Sequence, residues 1–214
     1  MQPRLNGSLA DGRNQLRVLS KTDVFECFAW SQNLGNEYAR CDGDGLFFAH
    51  PEANCIDVEY PSKLERLPFF AHCLSSIGYE DKDFEGALLW FTEWGVWNSF
   101  DEGIGYRIVE AMRSAAGDPK PFEVAPGQSF RADELSNAIG MLLQPIVFGW
   151  DAYYFPRWSY GVPQFFLHVS HDSFVSVVTS TKEFYDRALA LLKELDFEAK
   201  PGHELQRRRF CRAP

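Results

Sequence analysis

Several absences narrow the field before any motif is considered. No apolar stretch in the 214 residues approaches the ~20 that a membrane-spanning helix needs. The longest, Met141 to Phe148, is interrupted by Gln144 and Pro145. No basic start leads into an apolar run of signal-peptide length, so no secretory leader is expected. Positive charge is scarce: 21 Lys and Arg stand against 30 Asp and Glu, a net charge of −9 and a pI near 5.0. That balance argues against a general nucleic-acid binder, which needs a basic face for phosphates, and against a protein held to anionic lipid by charge.

Cysteine is sparse and odd in number, at Cys27, Cys41, Cys55, Cys73 and Cys211. The equal gaps between the first three invite a metal reading, with His50 and His72 nearby. Zinc sites normally open with ligands two to four residues apart, and no C-x-x-C or C-x-x-H exists here. Core thiols in a reducing cytoplasm are expected, with no metal and no cofactor. There is no G-x-x-x-x-G-K-[ST] loop, no G-x-G-x-x-G and no G-x-S-x-G elbow. Gly103-Ile104-Gly105 opens a helix, but the adjoining Asp101 and Glu102 repel phosphate. His72 and Cys73 are adjacent in a helical segment and point apart, so they make no dyad.

What the chain does have is aromatic: 19 Phe, 8 Tyr and 6 Trp. Many fall in 84–106 and 148–166, within an otherwise ordinary globular composition of 45% hydrophobic and 24% charged residues. Charge changes sign along the chain, from −12 over 1–196 to +3 over 197–214, with Pro201-Gly202 at the change. The expected organisation is a frayed 1–15, one globular domain over 16–198 and a basic tail over 199–214. The tail segment Gln206–Arg212 reads either as a dock for an acidic surface or as a solvated terminus.

Periodicity predicts a helix over 21–31 and a hairpin over 46–60, in which Ile56 and Val58 alternate with an exposed Asp57 and Glu59. Ser62-x-x-Glu65 is a capping box before Leu64, Leu67, Ala71, Leu74 and Ile77; Pro68 either kinks that helix or marks a second start. A buried strand is predicted over 87–97. Ser99-x-x-Glu102 then caps a helix with the apolar stripe Ile104, Ile108, Met112 and Ala115. A short strand over 122–125 precedes a Pro126-Gly127 turn. Leu135, Ile139, Leu142 and Ile146 mark a helix closed by Gly149. Strands follow over 150–155 and 165–179, the second turning at His171-Asp172-Ser173. Ser180-x-x-Glu183 caps a last helix bearing Phe184, Ala188, Leu191 and Leu195. This order implies an α+β or mixed α/β fold, a single mixed sheet packed by several amphipathic helices.

Three groups of residues are candidates for chemistry. In an extended 89–97, Leu89, Phe91, Glu93 and Trp97 share one face and Trp90, Thr92 and Trp94 the other. Burial of Glu93 among bulky neighbours would raise its pKa toward that of a general acid; the plainer alternative is a strand-end Glu paired with an Arg or capping the next helix. His168 and His171 are three apart, which on a strand sends them to opposite faces and disfavours a shared metal. His171 and Asp172 then serve either as acid–base groups with Glu93 or as plain turn residues. Finally, 148–166 holds nine aromatics in nineteen residues beside Arg157. With Trp94 and Trp97 it offers Trp150, Tyr153, Arg157 and Trp158 as a binding surface or as core with a tight loop.

The segments Phe91–Trp97, Phe122–Gly127, Phe148–Asp151 and Ser170–Asp172 resemble landmarks of an uncharacterised bacterial protein family over roughly 88–175. Asn98 replaces the proline that this pattern carries after its second Trp. The resemblance implies bacterial origin and a shared fold, and it assigns no reaction. Two functions are therefore expected in competition. One is a non-catalytic, acidic, cytoplasmic protein that binds a basic protein partner, as inhibitors and immunity proteins do. The other is a small-molecule hydrolase using Glu93 and His171. Oligomeric state is left open.

Overall fold

The structure, a computed structural model, describes residues 17–20, 40–42, 45–47, 54–77, 80, 83–94, 104–115, 119–122, 124–156, 165–179 and 181–202. In chain order the elements are β1 (Arg17–Leu19), β2 (Arg40–Asp42), β3 (Gly45–Phe47), β4 (Asn54–Glu59), a 3₁₀ turn (Leu64–Arg66), α1 (Leu67–Ser75), β5 (Ala87–Glu93), α2 (Ile104–Ala115), β6 (Gly127–Phe130), α3 (Leu135–Phe148), β7 (Asp151–Pro156), β8 (Phe165–Ser170), β9 (Phe174–Thr179), α4 (Lys182–Glu194) and β10 (Ala199–Pro201). Eight strands form one sheet in the order β1-β6-β5-β7-β8-β9-β4-β10, and β2 and β3 form a separate ladder. Every pairing among the described residues is antiparallel, so the fold is α+β and the described sheet is not mixed. None of the described helices is long and apolar enough to cross a membrane.

The described helices pack on one face of the sheet, α2 through Val109 and Arg113 and not through its apolar stripe. Ile56, Leu89, Tyr154, Leu167 and Val177 supply that face, and α1, α3 and α4 cover it with Phe70, Leu142 and Leu192 among others. The alternate residues Leu88, Trp90, Tyr153, Phe155 and Phe166 form a second cluster on the opposite face, to which no helix residue belongs. Both faces are therefore buried over the central strands.

Several local expectations hold. The 165–179 hairpin forms with its turn at residues 171–173, where Ser173 takes the left-handed conformation (φ 68°). Gly149 (φ 65°) ends α3, and Trp150 N–H reaches back to the Pro145 carbonyl before β7 begins. Pro68 is a helix start: the turn before it is 3₁₀, and α1 begins at Leu67 with proline in its first turn.

Other expectations are corrected. The segment 45–47 pairs with 40–42, while 54–59 lies between β9 and β10, so no hairpin spans 46–60. Asp57 is consequently buried, because β4 is not an exposed strand. Ser62 caps nothing; the residue before the 3₁₀ turn is Lys63, without a side-chain cap. The last helix is capped by Thr181, whose Oγ1 accepts from Phe184 N–H at 3.2 Å, one residue beyond the expected Ser180. Residues 122 and 124 are turn, and the strand begins at Gly127. A Cβ there would come within 2.8 Å of the Trp90 ring, so Gly127 lets Trp90 lie against the neighbouring strand. The stripe Ile104–Ile108 of α2 faces solvent, and the buried line is Gly105, Val109 and Arg113. The sheet also runs past residue 198: β10 pairs with β4 through Pro201, and its Lys200 bonds Glu59 at 3.1 Å. The helix expected over 21–31 and the Ser99 capping box lie outside the described residues.

Candidate functional site

The first group of functional-type side chains lies at one end of the sheet, where β5 ends, β7 begins and β8 turns into β9. Asp151 opens β7 and pairs in register with Glu93, the last residue of β5. Its two carboxylate oxygens hold one residue. Oδ1 accepts the His171 backbone N–H at 2.7 Å, and Oδ2 lies 2.8 Å from His171 Nδ1. A carboxylate there favours the tautomer with the proton on Nδ1 and leaves Nε2 as the basic nitrogen. Asp172 Oδ1 is 3.9 Å from Nε2. Asp172 N–H donates to Ser170 Oγ at 3.2 Å, and the Tyr60 hydroxyl donates to the Ser170 carbonyl at 2.9 Å. Burial, and then the charge of Asp151, raise the Tyr60 pKa well above the ordinary tyrosine value, so this hydroxyl stays a donor. The arrangement is an Asp–His pair with a half-buried imidazole, a geometry compatible with general-base chemistry. It also anchors the turn.

The second group is a row across the face away from the helices. Strand register sets Trp90 beside Tyr153, Tyr153 beside His168, His168 beside Ser176, Ser176 beside Asp57, and Asp57 beside Lys200. Tyr153 stacks on the His168 ring with centroids 4.8 Å apart and planes at 25°. Ser176 Oγ donates to Asp57 Oδ1 at 2.6 Å, and Cys55 Sγ lies 3.8 Å from the same oxygen. Burial lowers the His168 pKa, against the pull of the Asp151 and Asp57 charges. Burial first, and then the Asp57 charge, push the Cys55 thiol up to about 12, so it is a poor nucleophile.

The aromatic residues singled out from the sequence divide between the two faces. Trp150 is buried on the helix side, and Trp94 stacks on Phe122 there with centroids 5.2 Å apart. Tyr153 belongs to the opposite cluster, so it lines no common cavity with Trp94 and Trp150. Simple alternation placed Trp94 with Trp90. The register shift between Phe91 and Glu93 inserts one extra residue in β5, and beyond such a bulge the faces exchange. Glu93 is placed by its backbone alone; Trp97, Arg157 and Trp158 lie outside the described residues.

Sequence reasoning missed Asp151, Asp57, Ser176, Phe122 and Arg113. Phe122 is an aromatic hub touching Phe91, Trp94, Tyr106 and Trp150. The Arg113 guanidinium sits 4.1 Å from its centroid, fully buried, and donates to the Ala125 and Lys120 carbonyls at 2.9 and 3.2 Å. Asp151 alone carried a local signal, as the polar residue between a helix-ending Gly149-Trp150 and an apolar strand. Among the described residues no three His, Cys, Asp or Glu side chains are grouped to hold a metal ion. Compared with protein-family models, curated proteins and solved structures, the chain matches none.

Proposed function

We propose that this chain acts by binding another protein, as a non-catalytic, acidic, cytoplasmic protein of the inhibitor or immunity kind. The observation that supports this reading is the outer side of α2. Ile104 and Ile108 are 59% and 41% exposed, and Ala111 and Ala115 are exposed on the same line. Spacings of four, three and four residues put these side chains in one stripe along the helix. A contiguous apolar stripe on water points to a contact surface in a way that scattered single residues do not. The net charge of −9 adds long-range attraction for a basic partner. The test is cross-linking in host extract, with the captured chains identified by mass spectrometry. Ile104→Arg combined with Ile108→Arg is expected to remove a captured chain, and an unaltered set would sink the proposal.

A second reading has one specific observation in its favour. Asp151 orients the His171 imidazole, and Glu93 pairs in register with Asp151. This suits a small-molecule hydrolase with His171 as base and Glu93 as acid. Turnover in an ester and amide substrate screen that His171→Gln reduces at least ~100-fold would put this reading first. No turnover by the wild-type chain removes it.

A further inference from the structure

We infer that α2 pairs with α2 of a second copy, antiparallel, across a two-fold axis. The inference rests on the reading of α2 as a docking helix and names what covers its stripe in the isolated protein, a second copy, with which a basic partner would compete. The stripe is graded in size: Ile104 and Ile108 occupy its first half, Ala111 and Ala115 its second. A two-fold axis between Ile108 and Ala111 sets Ile104 over Ala115 of the partner subunit and Ile108 over Ala111 of the partner subunit. Symmetry repeats both contacts, so every bulky side chain meets a small one. A parallel pair would instead crowd isoleucines at one end and leave alanines apart at the other.

Charge obeys the same operation. At 100° per residue, Arg107 and Glu110 lie on one flank of the stripe, Arg107 exposed and Glu110 half-buried. Antiparallel helices bring that flank against its own copy. The rise of ~1.5 Å per residue then leaves Arg107 and Glu110 of the partner subunit about 3 Å apart along the axis, within an arginine's reach. Two Arg–Glu pairs result. A helix of 12 residues is only about 18 Å long, so this contact falls short of the ~800 Å² per partner typical of stable complexes. The dimer is therefore dissociable.

Sedimentation velocity on the full chain, from roughly 1 to 200 µM, reads this directly. The wild type is expected to shift from monomer to dimer with concentration. Ile104→Arg with Ile108→Arg should be monomeric throughout, with a thermal melt equal to that of the wild type at concentrations where the wild type is monomeric. Arg107→Glu and Glu110→Arg should each weaken association about tenfold, and an equimolar mixture of the two should restore it, because one chain then carries both acids and the other both bases. A wild type that is monomeric at every concentration overturns the inference, as does a mixture no tighter than either single variant. If the wild type is monomeric but the isoleucine pair still controls capture of a different protein, self-pairing falls and the docking reading stands. If the isoleucine pair controls neither, both fall.

Discussion

The helices α2 and α4 have 12 and 13 residues, each carries a clear apolar stripe in sequence, and they end with those stripes in opposite environments. In α4 the stripe goes inward: Phe184, Ala188 and Leu192 are buried, and Phe184 stacks on Phe165 of β8 with centroids 5.3 Å apart. In α2 Ile104, Ile108 and Ala115 of the stripe stay on water while Met112 packs against the core, and the inward line is Gly105, Val109 and Arg113. The cause lies in what each helix meets. Beneath α4 the sheet offers the flat Phe165 ring, on which Phe184 lies. Beneath α2 the Phe148 and Trp150 rings already fill the space, and a Cβ on Gly105 would come within 2.6 Å of Phe148. Phe122 then presents a ring face that a guanidinium covers better than an alkyl chain does. Hydrophobicity finds the stripe of a helix; the shape of the core decides whether the stripe is the side that packs.

The sharpest way to break this comparison is to remove the buried cation. Arg113→Ala empties a fully buried site and strips donors from the Ala125 and Lys120 carbonyls, so a loss of roughly 3–5 kcal/mol is expected in chemical denaturation. A loss below about 1 kcal/mol would mean that α2 is held some other way. Leu192→Ala on the buried side of α4 should cost about 2–4 kcal/mol by the same measurement. Next comes Gly105→Ala, which forces a methyl against two aromatic rings and should cost about 1–3 kcal/mol despite alanine's better helix propensity. A gain in stability would show that α2 does not sit tightly on Phe148 and Trp150. The smallest effect belongs to Ile104→Ala, expected within about 0.5 kcal/mol of wild type for the monomer because the side chain is already on water. A cost as large as that of Leu192→Ala would place the stripe inside.

The same contrast accounts for what was legible in advance at the candidate sites. His171 and Asp172 were readable as a turn between two strands because apolar alternation on either side is a local signal. The carboxylate that holds His171 was not, since Asp151 is twenty residues away and reaches the turn only through sheet pairing. Asp57 read as an exposed strand residue because alternation with Ile56 and Val58 says nothing of a second buried face. Trp94 was misplaced by one residue of bulge, an event that leaves no trace in hydrophobic pattern.

By itself, then, the sequence determined a single sheet packed by amphipathic helices, the helical character of the segments around 67–75, 135–148 and 182–194, and the 171–173 turn. It also set the acidic net charge. Each of these follows from composition or from interactions within a few residues, so local pattern suffices. The tertiary structure alone decided the strand order, the buried row from Trp90 to Asp57, the Asp151–His171 pair and the outward stripe of α2. Those depend on which distant segments share a face and how much space is left between them. Pairing register and packing volume are properties of the assembled core.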